Sequence, residues 1–164
     1  MKTKKITTLG ITIALAMVLS YVETLMPVLV PVPGVKAGFA NIAVIYALYN
    51  FSFGETCAVS LVRIFIVAVL FGNGVSLAYS VAGAVLSLLT MYLMKKSGIF
   101  SVISVSVAGG VMHNIGQIIM ASILMETNVL KYYLPFLLVA GIVAGIIIGV
   151  LGGIVIKRFK YTGE

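Results

Sequence analysis

Aspartate and tryptophan are both missing from this sequence, and cysteine and histidine occur once each, as Cys57 and His113. A single cysteine excludes a disulfide framework and a paired-thiol metal site. One histidine, with no cysteine or carboxylate close to it in sequence, does not supply the ligand set that a metal ion needs. We therefore expect no metal site and no cofactor.

Charge is also scarce, because Asp, Glu, Lys and Arg make up 9% of the 164 residues while 62% are hydrophobic. Soluble domains are about half apolar and about a quarter charged. The net charge of +7 comes from lysines and arginines in short clusters between apolar runs, and this arrangement sets membrane topology. A nucleic-acid-binding face would need them along one exposed surface. We expect a multi-pass protein of the cell (plasma) membrane, surrounded by the lipid bilayer, with no nucleic-acid partner.

The apolar runs predict an all-α bundle of six transmembrane helices in a single domain, residues 1–164, since a spanning helix needs roughly 20 apolar residues. The first helix follows a basic N-terminus without a convincing signal-peptide cleavage site and is expected to be retained. Residues 39–71 also admit one bent helix, which would place the two termini on opposite sides. The six predicted helices cover about 6–26, 39–53, 55–71, 75–94, 101–125 and 133–156.

The basic residues predict how these helices are oriented. With six helices, both termini and the loops after helices two and four share one side of the membrane. The other side has only Lys36 and Lys131. Because positive charge accumulates on the cytoplasmic side, both termini are predicted to be cytoplasmic. The basic side collects Lys2, Lys4, Lys5, Lys95, Lys96, Lys157, Arg158 and Lys160.

Several polar side chains fall inside the predicted helices, where each needs a partner or a function. His113 and Gln117 are four residues apart and share a helical face, with Asn114 beside them. Interhelical hydrogen bonding and a binding pocket are both open for this cluster, and we favour the pocket. Arg63 is either paired with Glu23 or helix-end carbonyls, or is a counter-charge for an anionic substrate. The helical rise places these residues in the middle and outer half of the bundle.

The segment PVPGVKAGFAN combines prolines with Lys36 just before a predicted helix start. Helix N-termini attract anions, and an adjacent lysine strengthens that attraction. Asn41 is predicted to open this helix from the outer side of the membrane. A plain outer loop with a solvated lysine is the alternative.

Small residues recur at four-residue spacing on two helices, which lets helices approach closely. On helix six this spacing predicts helix packing. On helix one it is weaker, and either internal packing or docking of a partner subunit fits it. The residues are Gly141, Gly145, Gly149 and Gly153 on helix six, and Gly10 with Ala14 and Thr12 with Ala16 on helix one.

The segments PVPGVKAGFANI, LVRI, SVSVAGGVMHNIGQ and YYLPFLL together resemble the Gx transporter family, whose members are often labelled heptaprenyl diphosphate synthase component I. The resemblance covers nearly the whole chain. It implies a six-helix fold similar to the S components of energy-coupling factor transporters, which bind a small-molecule solute from outside. It also implies a partner, an energy-coupling module of two ATPases and a membrane coupling subunit. The matching positions are Lys36, Gly38, Asn41, Arg63, His113, Asn114 and Gln117.

The resemblance departs from S components on helix one. S components contact the coupling subunit through an Ala-x-x-x-Ala pattern there. In this chain only Gly10 with Ala14 and Thr12 with Ala16 meet that spacing. The sequence therefore does not decide which surface would contact the coupling subunit.

The residues argue against an autonomous enzyme. Prenyl chain elongation needs aspartate-rich clusters that hold magnesium, and the four glutamates here are scattered at positions 23, 55, 126 and 164. No Gly-rich loop ending in Gly-Lys-Ser/Thr is present for ATP, and no nucleophile–base–acid set is visible.

Two functions remain open. The first is a substrate-binding membrane subunit for uptake of a small, anionic and partly apolar solute, such as a vitamin-like compound or an isoprenoid or quinone precursor. The second is a non-catalytic membrane subunit of an isoprenoid (heptaprenyl diphosphate) synthesis complex. For the first, the predicted substrate-binding residues are Glu23, Lys36, Asn41, Arg63, His113, Asn114 and Gln117.

Overall fold

Six α-helices and no strand make up the described part of the chain. The computed structural model describes residues 2–25, 38–72, 74–126 and 132–160. The all-α prediction is confirmed for these residues, and the helix ends agree with the predicted ones to within four positions. The helices are α1 (Lys2–Leu25), α2 (Ala40–Asn50), α3 (Phe53–Phe71), α4 (Gly74–Ser97), α5 (Val102–Leu124) and α6 (Leu134–Arg158).

The junction of α2 and α3 is set by a capping box. The Ser52 side chain accepts a hydrogen bond from the Glu55 backbone N–H, and the Glu55 carboxylate accepts one from the Ser52 N–H. Reciprocal capping of this kind marks a helix start. The predicted end of helix two at residue 53 is therefore three residues too late. The single bent helix over 39–71 is also wrong, because the chain leaves the helix at Phe51 and Ser52.

Five of the six helices are long and apolar enough to cross a membrane, which makes the chain a multi-pass membrane protein by helix length and composition. The exception is α2, whose 11 residues extend only about 16 Å. Six of those residues are buried. The predicted count of six membrane spans is therefore not confirmed, although the count of six helices is.

The basic residues gather at one end of the bundle. There the Lys5 Nζ lies 2.8 Å from the Glu55 Oε1, and the Lys95 ammonium donates to the Leu48 carbonyl. These contacts join the start of α1 to the start of α3, and the end of α2 to the end of α4. We call this the basic end.

Helix α5 runs antiparallel to α4 and to α6, so the end of α4, the start of α5 and the end of α6 lie together at the basic end. Gly109 of α5 lies against Met91 of α4, and Gly149 of α6 lies against Ile103 of α5. The C-terminus of α6 therefore lies beside the N-terminus of α5. The start of α1 and the end of α6 are thus at the same end of the bundle, and the side of the membrane they face stays a prediction.

Glycines allow α5 and α6 to touch backbone to backbone. A Cβ atom at Gly145 would lie 2.6 Å from the Val107 Cα, and one at Gly149 would lie 2.7 Å from the Ile103 Cα. Gly141 likewise faces the Gly110 carbonyl. Such separations are shorter than a side chain tolerates, so glycine is required for this packing.

Gly153 does not belong to this contact, because a Cβ atom there would meet nothing within 4 Å in the described part of the chain. Its neighbour Gly152 is buried instead and faces the Ile45 side chain of α2. Adjacent residues differ by about 100° around a helix, so the glycine that packs against α2 is 152. A partner-docking role for Gly153 stays a prediction.

The two small-residue pairs of α1 point in different directions. Thr12 and Ala16 are buried inside the bundle, whereas Gly10 and Ala14 are exposed. Thr12 with Ala16 therefore packs internally. Docking of a partner subunit on Gly10 with Ala14 stays a prediction.

Candidate functional site

A cavity of about 120 Å³ lies between helices α1–α3 on one side and α4–α6 on the other. A single water needs roughly 10–15 Å³ measured in the same way, so the cavity has room for several waters or a small organic molecule. Lys36 lies outside the described residues. The other six predicted substrate-binding residues all line this cavity, namely Glu23, Asn41, Arg63, His113, Asn114 and Gln117.

The cavity wall extends from the end opposite the basic end past the middle of the bundle, because Met91 and Ser106, about 26 Å along their helices from that end, also line it. Its lining includes Glu23 near the end of α1, Gly72 after α3 and Ser76 in the first turn of α4. On its deeper side it includes Ser87 and Ile148, which lie about 20 Å along their helices from that end. The cavity wall therefore reaches the end that lacks the basic clusters.

Among the described residues, Arg63 is the only lysine or arginine that lines the cavity. Its Nε atom is buried and donates to no acceptor in the described part of the chain. The carboxylate of Glu23 is close enough to attract it electrostatically. The proposed pairing of Arg63 with Glu23 is thus an electrostatic one that leaves the Nε–H without an acceptor among these residues.

His113 is positioned by a glycine on the neighbouring helix. A Cβ atom at Gly83 of α4 would lie 2.9 Å from the His113 Nδ1 and Cε1 atoms. The imidazole ring therefore lies directly against the α4 backbone. Gly83 was not among the predicted site residues, although it shares a helical face with Ser76, Ser80 and Ser87.

Asn114 links two helices. Its side-chain Nδ2 donates to the Leu137 carbonyl of α6 at 2.6 Å. A Cβ atom at Gly141 would lie 2.8 Å from that nitrogen, so the glycine leaves the space that the amide needs. For Asn114 the interhelical hydrogen bond is therefore observed, while a binding role stays a prediction.

Asn41 lies in the first turn of α2, at mid-depth in the bundle, and the prediction that this helix start faces the outer side stays a prediction. Gly38, which begins this turn, lies against Ile148 of α6, and Ile148 is about 15 Å from the end of α6 at Arg158. The amides of Asn41 and Gln117 make no hydrogen bond within the described part of the chain. Their polar groups are available to the cavity.

Serine hydroxyls supply much of the remaining polar lining, and sequence reasoning missed them. Three of them recur on one face of α4, at a spacing of four and then seven residues that would have identified them. The serines that line the cavity are Ser20, Ser76, Ser80, Ser87 and Ser106. The wall is thus richer in hydrogen-bonding groups than the charged and amide residues alone suggest.

Within the described ranges, no group of three or more His, Cys, Asp and Glu side chains is placed to hold a metal ion. The polar groups that line the cavity are a guanidinium, an imidazole, amides and hydroxyls, together with one carboxylate. This set can bind an organic solute by hydrogen bonds and by charge.

The model of the family described as heptaprenyl diphosphate synthase component I matches residues 12–155. The chain belongs to this family. The match extends from α1 to the last turn of α6 and so includes every described wall of the cavity. No curated protein and no solved structure matches the chain.

Proposed function

We propose that this member of the family is a substrate-binding membrane subunit that takes up a small solute through the cavity. The observation that carries the proposal is the convergence of six predicted polar residues on one cavity. Three of them, Asn41, Arg63 and Gln117, have polar groups with no protein hydrogen bond within the described chain. Polar groups buried in a membrane helix bundle are costly unless a ligand or water satisfies them.

The position of the cavity also supports uptake. The positive-inside rule places the basic end in the cytoplasm, and the cavity reaches the opposite end. A solute arriving from outside would therefore meet the cavity first. Release inward would need a coupling partner, and we propose an energy-coupling module of two ATPases and a membrane coupling subunit, as in S components. Gly10 and Ala14 offer an exposed face of α1 for such a partner.

The solute we propose is small, anionic and partly apolar. Arg63 favours an anionic group, and the cavity wall also includes Ile45, Ile64 and Ile148. No catalysis is proposed for this chain, because the wall carries a single carboxylate among the described residues and the sequence has no aspartate.

Native mass spectrometry of the purified chain tests this proposal. We expect a stoichiometric small molecule to remain bound in mild detergent, and Arg63→Ala to reduce its occupancy at least tenfold. Arg158→Ala is the matched control, because Arg158 is the only other arginine and lies exposed at the basic end. Absence of a bound molecule from the wild-type chain, or its retention in Arg63→Ala, would contradict the proposal.

The family description favours a second function, a non-catalytic membrane subunit of a heptaprenyl diphosphate synthesis complex. Such a subunit would hold a soluble prenyltransferase at the basic end, where Lys96, Lys157 and Arg158 are exposed. Replacing these three residues with Gln would then release a co-purifying prenyltransferase activity from membranes, while Arg63→Ala would not. If the chain is an uptake subunit, we expect no prenyltransferase activity to co-purify with the wild-type protein.

A further inference from the structure

Charged and uncharged side chains line the cavity at different depths. Within the described ranges, the charged residues of its wall are Glu23 and Arg63. Counted along their helices, they lie about 3 and 12 Å from the ends of α1 and α3 that face away from the basic end. We call the part of the cavity between Arg63 and that end the outer zone. His113 lies just inside this zone, about 16 Å from the end of α5.

Deeper than Arg63, the described wall contains no lysine, arginine or carboxylate. Helices α1 and α3 contribute no wall residue there, and α2 lines the cavity instead. Its contact with α6 is close, because a Cβ atom at Gly152 would lie 2.5 Å from the Ile45 Cγ2. Likewise, a Cβ atom at Gly109 of α5 would lie 2.5 Å from the Met91 Sδ of α4. We call this part the inner zone, and its wall includes Asn41, Ile45, Ser87, Met91, Ser106 and Ile148.

The inner zone ends on the hydrophobic core of the bundle. Ile45 and Met91 line the cavity, are almost completely buried and belong to one apolar cluster. The other members of that cluster are Val44, Leu48, Leu88 and Val105. Beyond it, Lys95 donates to the Leu48 carbonyl at the basic end and does not line the cavity. A charged group of a solute would lose its hydration at this floor without meeting an opposite charge, so the inner zone favours an uncharged group.

The cavity is also long and narrow. On α4 its wall extends from Ser76 to Met91, which is about 22 Å of helix. Its volume of about 120 Å³ corresponds to roughly eight to twelve waters. Nine waters in single file, at a hydrogen-bond spacing of about 2.8 Å, would extend about 22 Å. A solute that reaches both zones must therefore be extended rather than compact.

The guanidinium of Arg63 is suited to hold the charged end of such a solute. Its Nε atom is buried and donates to no acceptor in the described part of the chain. An unsatisfied guanidinium inside a membrane protein is costly, and anionic oxygens are among its strongest acceptors. The negative group of a solute therefore belongs in the outer zone.

Resting on the proposed function, we propose that the solute is an extended amphiphile that occupies both zones, with its anionic group at Arg63 and its uncharged, mainly apolar end against Ile45 and Met91. The uncharged end enters first, and the anionic group stays toward the end opposite the basic end. The amide of Asn41 lines the inner zone and allows the uncharged end to carry a neutral hydrogen-bonding oxygen.

Nuclear magnetic resonance with two reporters tests this orientation. The Nε–H of Arg63 reports on the outer zone and the Cε methyl group of Met91 on the inner zone, and Arg63→Lys and Met91→Leu assign the two signals. Acetate and octanoate are the probes, at constant ionic strength and detergent concentration. We expect acetate to shift the Arg63 signal alone. Octanoate should shift both signals with one half-saturation concentration, at least tenfold lower than that of acetate, since each buried methylene contributes up to about fourfold.

Controls within the same spectra separate the cavity from the surface. Arg158 and Met125 are exposed, and their signals should not follow the half-saturation of the two reporters. Octanamide has the length of octanoate without its charge. It should shift the Met91 signal and require at least tenfold higher concentration than octanoate.

Matched substitutions on α4 separate the inner zone from the rest of the helix. Ser87→Leu fills part of the inner zone and should weaken octanoate binding at least tenfold more than acetate binding. Val85 is exposed on the outer surface of the same helix, and Val85→Leu should change neither affinity. Equal weakening of both probes by Ser87→Leu would contradict the proposal. If Ser87→Leu does not fold, the titrations of the wild-type chain decide it.

An Arg63 signal that responds to neither anion would overturn the proposal, and so would a Met91 methyl signal that octanoate leaves unshifted. Equal affinity for acetate and octanoate would also overturn it. Failure here is distinct from failure of the proposed function. A native mass spectrum with a bound solute that is compact, or charged at both ends, keeps the uptake function and rejects this orientation, whereas an empty wild-type protein rejects the function itself.

Discussion

Asn114 and Gln117 lie about one turn apart on α5, but their amides meet different surroundings. Asn114 donates to the Leu137 carbonyl of α6, while Gln117 lines the cavity without a hydrogen bond in the described chain. Asn114→Ala should therefore lower the free energy of unfolding by about 1 kcal/mol, the usual size of such a bond between membrane helices. Gln117→Ala should change it by less than about 0.5 kcal/mol.

Thermal unfolding in detergent and native mass spectrometry on the same samples check this difference. Gln117→Ala is expected to lose bound solute while keeping its melting temperature. Equal loss of stability in both variants would show that Gln117 holds helices together, as Asn114 does.

At the scale of single residues, the sequence predicted the polar lining of the cavity where the residue type is expensive in a membrane. Arg63, His113 and Asn114 stand out in apolar helices because each must be satisfied. Serines do not stand out in this way, because their hydroxyls bond to the preceding turn of their own helix. Ser80 and Ser87 were therefore missed, although their spacing on α4 was available.

The α5–α6 contact is the element whose packing depends most on residue size. Gly145→Ala should cost about 1–3 kcal/mol of unfolding free energy, because the new methyl group would lie 2.6 Å from the Val107 Cα, and overpacking of this kind forces the backbones apart. Gly153→Ala on the same helix meets nothing within 4 Å in the described chain. It should be neutral or stabilise by up to about 1 kcal/mol through helix propensity.

Reversible unfolding in mixed detergent micelles measures both variants. A Gly145→Ala protein as stable as Gly153→Ala would mean that α5 and α6 are not packed backbone to backbone.

Helix positions followed from apolar runs and capping signals, but the depth of α2 did not. Its 11 residues have the same apolar pattern as part of a longer spanning helix. The depth at which α2 starts is seen only in the structure, from the contact of Gly38 with Ile148. The sequence also could not show whether Gly152 or Gly153 packs against α2. Four-residue spacing identifies one face of α6 but not the helix that this face contacts. The Ser52 and Glu55 capping box was present in the sequence and could have placed the α2–α3 junction correctly.

The orientation of the whole molecule in the membrane can be tested in cells. In a Cys57→Ser background, Ser97→Cys reports on the basic end and Met125→Cys on the opposite end, and both positions are exposed. If the basic end is cytoplasmic, an impermeant maleimide added to intact cells should label Met125→Cys and should reach Ser97→Cys only after the cells are opened. Labelling of Ser97→Cys in intact cells would invert the orientation and place the cavity toward the cytoplasm.

In the function that we propose, the cavity is a water-accessible solute site reached from the end opposite the basic end. The reactivity of a cysteine placed in the cavity wall tests this proposal. Ser80 lines the cavity, whereas Val85 of the same helix is 54% exposed on the outer surface, where lipid would surround it. Only a cysteine in water ionises readily to the reactive thiolate.

In the Cys57→Ser background, a small, charged methanethiosulfonate reagent added to intact cells should modify Ser80→Cys but not Val85→Cys. The solute recovered from the wild-type protein should slow that modification. An unreactive Ser80→Cys, or one whose modification the recovered solute does not affect, would contradict the proposed uptake function.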